Sequence, residues 1–266
     1  MSPRQLIIGH RGASAYAPEN TIAALKMAVE LGADGVEFDV RIAKDGVPVV
    51  IHDADLLRVG GRQQKVAELT YAELAEIDVG SWFARQFPDR SRRSYSEQTV
   101  PSLESALETL SSADLIYVEL KTDALTSDLL VDKVCETISH VVPLSRVIVK
   151  SFDLDALKRV RTELPDVETA ALFQPSASTV FRRRASLIEM AASCGADHIS
   201  LHWSLVNRQL IDACTAAKMS VTVWTVDHPR WIARANELGI RSLITNDPAK
   251  LLAARNGSLL KTPDGQ

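Results

Sequence analysis

Short runs of β-branched and apolar residues recur along the chain, and most are separated by stretches that repeat apolar residues every three to four positions. The runs are QLIIGH, GVEFDVRI, VPVVIHD, LIYVELK, RVIVKSF, TAALF, HISLHW, SVTVWTV and SLITN, which makes nine strand candidates. The stretch after the first run shows the helical pattern well. Asn20 or Thr21 is placed to cap it, Ile22, Leu25, Ala28 and Val29 form its apolar face, and Gly32 ends it. Similar helices are predicted from Ser102, Asp153 and Asn207 onward.

Strand–helix repeats of this kind predict a parallel sheet. One run departs from the pattern. VPVVIHD follows GVEFDVRI after only AKDG, too few residues for a parallel crossover, so the two strands form a hairpin. Without it, eight strands remain in βα order. The 266-residue length then fits a closed (β/α)8 TIM barrel. A doubly wound open sheet is the alternative, but the first strand is not followed by G-x-G-x-x-G. The second and third barrel strands start about 80 residues apart, which predicts an insertion over approximately 43–100. It holds the hairpin, a helical LTYAELAEI and a polar, Arg- and Ser-rich RQFPDRSRRSYSEQT expected to be mobile. Long insertions in barrels often act as lids or specificity elements. The expected organisation is one barrel domain over 1–256 and a frayed tail over 257–266.

Composition narrows the functional class only modestly. The chain is 46% hydrophobic and 24% charged, with a formal net charge of −4, which argues against nucleic acid as a main partner while leaving room for a local anionic site. Cys135, Cys194 and Cys214 form no C-x-x-C pair and read as buried thiols. There is no signal-like N-terminal apolar region and no run of membrane-spanning length. The expectation is a cytoplasmic chain without stable membrane insertion.

The candidate chemistry lies at strand ends. In GVEFDVRI, Val36, Phe38, Val40 and Ile42 alternate with Glu37, Asp39 and Arg41. One reading is a half-exposed strand with its acids in water. In a barrel the same pattern turns both carboxylates inward, where they need a cation. Glu119 and Lys121 share a face at the end of LIYVELK and bring a third carboxylate to the rim. The hairpin returns His52 to the level of the pair, opposite Asp39 if Asp45-Gly46 is the turn and opposite Glu37 if the loop has four residues. His10 and Arg11 end the first strand, and barrel sites form at the C-terminal ends of strands. Oxygen donors suit Mg2+ or Ca2+. Arg11 and Lys121 can neutralise a phosphate, and two histidines can divide acid and base work. The set suits phosphodiester hydrolysis.

The motifs HRGASAYAPENT, GADGVEFDV, DGVPVVIHD, VPSLESAL, VELK, SFD and VTVWTV…ITNDP, in this order over roughly residues 5–250, resemble the glycerophosphodiester phosphodiesterase family. The resemblance implies a metal-dependent (β/α)8 barrel that hydrolyses glycerophosphodiesters to sn-glycerol 3-phosphate and an alcohol. It implies Glu37, Asp39 and Glu119 as metal ligands, His10 and His52 as the acid/base pair, and Arg11 and Lys121 as phosphate contacts. Glu19 and Asn20 are implied to hold the first loop, with Glu19 a candidate to reach the metal. Trp224 matches an aromatic pocket wall, and His202, with Ser200 as a weaker neighbour, ends a strand at the same rim. Two positions depart from the family pattern: Ala43-Lys44 before the hairpin turn, and Asn246 where Thr-Asp-x-Pro usually carries Asp. Neither falls on the expected ligands or histidines. Two alternatives are a phospholipase-type phosphodiesterase acting on lipid head groups and a non-catalytic phosphodiester-binding barrel. The first calls for an apolar membrane-facing loop, and the second for a lost ligand or histidine.

Overall fold

A computed structural model describes residues 4–123, 125–175 and 184–257. Most of the expected tail, residues 258–266, lies outside them. All nine expected strands form: β1 (Leu6–His10), β2 (Gly35–Ile42), β3 (Pro48–Val50), β4 (Ile116–Leu120), β5 (Val147–Ser151), β6 (Glu168–Phe173), β7 (His198–His202), β8 (Ser220–Trp224) and β9 (Ser242–Thr245). Eight are parallel and run β1-β9-β8-β7-β6-β5-β4-β2, with β1 pairing β2 to close the barrel. β3 pairs only β2, antiparallel, as the hairpin reading required. The open doubly wound sheet is excluded by the closure.

Side-chain alternation separates two cores. Ile7, Val36, Phe38, Val40, Val118, Val149, Leu201 and Leu243 pack outward against the helices. Inside, Ile8, Tyr117, Ile148, Ala170 and Ile244 fill the lower barrel. Tyr117 is fully buried there, and its hydroxyl lies 3.1 Å from Ser242 Oγ and 3.3 Å from Thr222 Oγ1, contributed by β9 and β8. This satisfies an otherwise costly buried phenol. Above this layer the interior becomes ionic.

Thr21, rather than Asn20, caps the first helix (Ile22–Glu30) through Ala24 N–H. Ser102, Asp153 and Asn207 cap the helices Leu103–Thr109, Leu154–Glu163 and Arg208–Ala216 as their sequences predict. No helix among the described residues is long and apolar enough to cross a membrane. The three cysteines are buried and unpaired with one another.

The insertion between β2 and β4 has its own small core, built on Val49, Ile51, Leu56, Leu74, Ile77 and Val100. The hairpin turn is Lys44-Asp45-Gly46, closed by Ala43 N–H to Val47 O at 2.9 Å, with Gly46 at φ +80°. This three-residue loop sets a register between the two expected ones: Val40 pairs Val50, and Asp39 O accepts from Ile51 N–H at 3.0 Å. His52 therefore lies one residue beyond the partner of Asp39 rather than opposite Asp39 or Glu37.

The Arg- and Ser-rich segment is built around one buried side chain. It forms two short 3-10 turns, Pro88–Arg90 and Arg93–Glu97, around a buried Tyr95. Tyr95 packs edge-on against Phe83 and donates its hydroxyl to Tyr16 O at 2.8 Å, pinning the insertion to the first barrel loop. Gly80 allows this approach, because a Cβ there would sit 1.7 Å from Tyr95 O. Replacing a buried aromatic by alanine typically costs about 3–5 kcal/mol. Tyr95→Ala should release this segment, so limited trypsin digestion should cleave at Arg85, Arg90, Arg92 or Arg93 at least tenfold faster than in the parent chain. Unchanged cleavage would show that the segment is held by other contacts.

Candidate active site

Paired strands β2 and β4 bring Glu37, Asp39 and Glu119 together, 0%, 1% and 5% exposed. One carboxylate oxygen from each lies within 4.8 Å of the other two. The parallel register sets this, since Asp39 pairs Glu119 directly and His10 pairs Glu37. Buried carboxylates at this spacing repel one another unless cations intervene. Three do. Arg11 Nε lies 3.1 Å from Asp39 Oδ2, Lys121 Nζ contacts Glu119 and lies 3.1 Å from Asp39 Oδ1, and Lys150 Nζ bridges Glu37 at 2.7 Å and Glu119 at 3.2 Å. Burial alone would raise the Asp39 pKa, but Arg11 and Lys121 outweigh it and hold the carboxyl well below the usual range. Burial likewise opposes ionisation of Glu37, and the Lys150 charge reverses it. Lys150 stays protonated because Glu37 and Glu119 overcome its own desolvation.

The loop from Arg11 to Asn20 is shaped around these acids. Both of its end residues have positive φ, 54° at Arg11 and 57° at Asn20. That conformation is uncommon for side chains with a Cβ and persists where contacts over-determine it. Here Arg11 N–H donates to Glu37 Oε2 at 3.0 Å, Asn20 N–H to Arg11 O at 3.0 Å, and Asn20 Nδ2 to Asp39 Oδ2 at 2.9 Å. Asp39 N–H returns a bond to Asn20 Oδ1 at 3.2 Å. Gly12, at φ +82°, is pressed against the first helix, and a Cβ there would meet Ala24 C at 2.4 Å. Glu19 does not reach the acidic cluster. Its carboxylate is taken by Arg11 Nη1 at 2.6 Å and by both terminal nitrogens of Arg58 at 2.7 and 2.9 Å.

The two histidines are held differently. His10 Nδ1 meets Asn246 Oδ1 at 2.7 Å, and His10 Nε2 lies 4.0 Å from Glu37 Oε2. Asn246 Nδ2 donates to Asp227 Oδ2 at 2.8 Å, which turns Oδ1 towards His10 and requires the His10 proton on Nδ1. Burial lowers the His10 pKa, partly opposed by Glu37. His52 Nδ1 instead meets the Asp53 carboxylate at 2.7 Å, and Arg58 Nε holds Asp53 at 2.7 Å. His52 is close enough for its charge to act on Asp39. The Asn246 departure thus does touch His10, contrary to expectation: the chain brings β9 and β1 side by side, and residue 246 is the first after β9.

On the far side, Trp224 stands edge-on between Phe152 and His202, with ring centroids 5.8 and 5.3 Å away. Phe152 reaches back to Lys121 Nζ, which lies 6.0 Å from its ring centre. The indole N–H of Trp224 is buried without a protein partner. Ser200, on the same face of β7 as His202, is fully buried in the barrel. Sequence reasoning missed Lys150, Asp53, Asp227 and Phe152. Lys150 carries a signal that alternation makes visible: it is the one charged residue in RVIVKSF after its first position, on the inward face with Ile148.

A closed parallel barrel with a buried acidic triad and two histidines at its C-terminal rim has the layout of a barrel enzyme's active site. Comparison with known proteins makes this specific. The family model for the glycerophosphoryl diester phosphodiesterase family matches residues 10–250. The chain is 30% identical over 253 residues to a glycerophosphodiester phosphodiesterase of Caldanaerobacter subterraneus subsp. tengcongensis, covering 94% of this chain and 97% of that one. It is similar to an Oleispira antarctica phosphodiesterase solved with the product sn-glycerol-3-phosphate, at 26% identity, TM-score 0.82 and coverage of 96% and 97% of the two chains. A glycerophosphodiester phosphodiesterase structure from Thermotoga maritima matches at 25% identity and TM-score 0.73, with 95% and 99% covered. The chain belongs to the glycerophosphoryl diester phosphodiesterase family.

Removing one partner of a buried ion pair costs about 3–5 kcal/mol. Lys150→Met should therefore lower the unfolding free energy measured in urea by about 3–5 kcal/mol near pH 7. Without the ammonium, burial raises the Glu37 pKa, so the folded variant binds a proton that its unfolded chain releases. Its stability relative to the parent should recover as the pH falls from 8 to 5. A deficit that is flat across this window would show that Lys150 is not the counter-charge of Glu37.

Proposed function

We propose that this chain hydrolyses glycerophosphodiesters to sn-glycerol 3-phosphate and an alcohol, with a divalent cation on Glu37, Asp39 and Glu119 and with His10 and His52 moving protons. The observation that carries the reading is the convergence of both histidines on the buried triad. The donor set suits a hard ion, Mg2+ or Ca2+, because it is all oxygen. Glu37 Oε1 and Asp39 Oδ1 are buried and have an ammonium in ion-pair reach but no hydrogen bond directed at them, so both oxygens have lone pairs to offer a metal. When bound there, such an ion would polarise a phosphoryl oxygen and favour ionisation of a nearby hydroxyl.

The protein's own groups do the rest. Arg11 commits Nε and Nη1 to Asp39 and Glu19, which leaves Nη2 for a phosphate oxygen, and Lys121 offers a second positive charge at the same rim. His10, neutral and protonated on Nδ1, presents the Nε2 lone pair and takes the proton of the nucleophile. His52, held at Nδ1 by the Asp53 carboxylate, delivers a proton to the departing alkoxide. Water and the neighbouring glycerol hydroxyl are both competent nucleophiles, and a cyclic phosphate marks the second. Trp224, Phe152 and His202 form the wall against which the substrate's carbon chain packs.

Assays with free sn-glycerol 3-phosphate as the readout test this reading. His10→Ala and His52→Ala should each lower kcat by about 10²–10⁴-fold with small changes in KM. Chelation should abolish turnover, and added Mg2+ or Ca2+ should restore it. Near-parental rates in either histidine variant, or chelator-resistant activity, would reject the corresponding assignment.

A further inference from the structure

A groove of about 410 Å3 opens beside the rim, between the insertion and the loops after β1, β8 and β9. Arg58, Trp82, Phe87 and Arg90 of the insertion and Ser14 and Asn246 of the barrel loops line it. We propose that this groove receives the alcohol arm of the diester, and that Arg90 makes it selective for an anionic or hydroxyl-rich alcohol over a quaternary ammonium one. The proposal rests on the function read above and names the substrate class of the same site.

Continuity with the proton-transfer groups places the groove on the path of one diester arm. Asn246 in its wall is the residue that holds His10, and Arg58 holds the Asp53 that holds His52. An arm leaving phosphorus between the two histidines on this side enters the groove. The opposite side is walled by Phe152, Trp224 and His202, which suits the short glycerol arm common to all substrates of the class. The groove is open to solvent, so alcohols of different size can extend along it.

Charge and aromatic geometry then set its preference. The wall's carboxylates are already engaged. Glu19 is paired with Arg11 and Arg58, and Asp227 accepts from Asn246 N–H, Asn246 Nδ2 and Thr245 Oγ1, each at 2.8 Å. The aromatic faces that would attract a trimethylammonium group are engaged too: Arg58 stacks over Trp82 and Arg90 over Phe87, each 5.7 Å from the ring centre. Arg58 is neutralised by Glu19 and Asp53. Arg90 is different. Its Nη1 donates to Ala15 O at 2.8 Å, and no carboxylate among the described residues lies within ion-pair distance of it. It belongs to the run RQFPDRSRR, with four arginines against one aspartate in a chain of net charge −4. Asp227 keeps its charge but directs its oxygens at Thr245 and Asn246, so Arg90 is the lining cation left without a carboxylate partner among the described residues.

The test uses the full chain with Mg2+ or Ca2+ and four soluble diesters: glycerophosphoglycerol, glycerophosphoinositol, glycerophosphoinositol 4-phosphate and glycerophosphocholine. The parent should favour the inositol phosphate over choline by about tenfold or more in kcat/KM, which corresponds to about 1.4 kcal/mol. The preference should shrink as NaCl is raised, because an exposed charge is screened. Arg90→Glu should collapse or invert the ratio from both ends, with choline turnover rising, while Arg90→Lys should preserve it. Hydrolysis of the panel with an unchanged ratio in Arg90→Glu would overturn the subsite alone. Failure of the parent to release sn-glycerol 3-phosphate from any member would overturn the function reading and the subsite with it. Faster release when the same head groups are presented on lysophospholipid micelles would overturn the soluble-alcohol assignment in favour of a lipid surface.

Discussion

The structure depends on how three carboxylates are accommodated inside a barrel. Glu37, Asp39 and Glu119 lie where a typical (β/α)8 barrel packs aliphatic side chains, and each would be unaffordable there as a lone charge. Arg11, Lys121 and Lys150 come from three different strand ends to meet them. Each acid has a cation within ion-pair distance, so the cluster forms an ionic layer above the aliphatic and Tyr117 layer. A divalent ion held by these acids would compete with Lys121 and Lys150 for the same oxygens, so its affinity would be set against resident ammonium groups.

The constraint propagates outward. Because Asp39 must be held by Arg11 and Asn20, the loop between them adopts positive φ at both ends and carries a glycine where it meets the first helix. The same loop hands Glu19 to Arg58, and Arg58 fixes Asp53 and through it His52. One chain of ion pairs therefore runs from the barrel interior to the insertion. The insertion is not an appendage: it supplies His52, the side chain that holds it, and one wall of the groove beside it.

Much of this was legible in the sequence, and the reasons for the rest are physical. Strand positions follow from runs of β-branched residues, and inward and outward faces from alternation, so Glu37, Asp39, Glu119 and Lys121 could be placed on one rim before any coordinates. The hairpin register could not. AKDG admits loops of two, three or four residues, and the choice fell on a three-residue loop with Gly46 at positive φ, which moves every partner by one. Contacts between residues far apart in sequence were also hidden. Asn246 touches His10 across 236 positions, and only the closure of β9 onto β1 brings them together. Lys150 was hidden for another reason: a lysine in an apolar strand reads as a surface residue until its neighbours in the closed barrel are known to be acids.

The Asn246 contact also changes how the two histidines are understood. In a site with a carboxylate behind each ring, both would be drawn towards the charged form. Here one ring rests on a neutral amide whose orientation Asp227 fixes, and the other on a carboxylate. Burial adds to the difference by lowering the pKa of His10. The two rings are thus held by chemically different partners, one a neutral amide and the other a charged carboxylate, and an asparagine that looks like a peripheral departure in the sequence is half of that asymmetry.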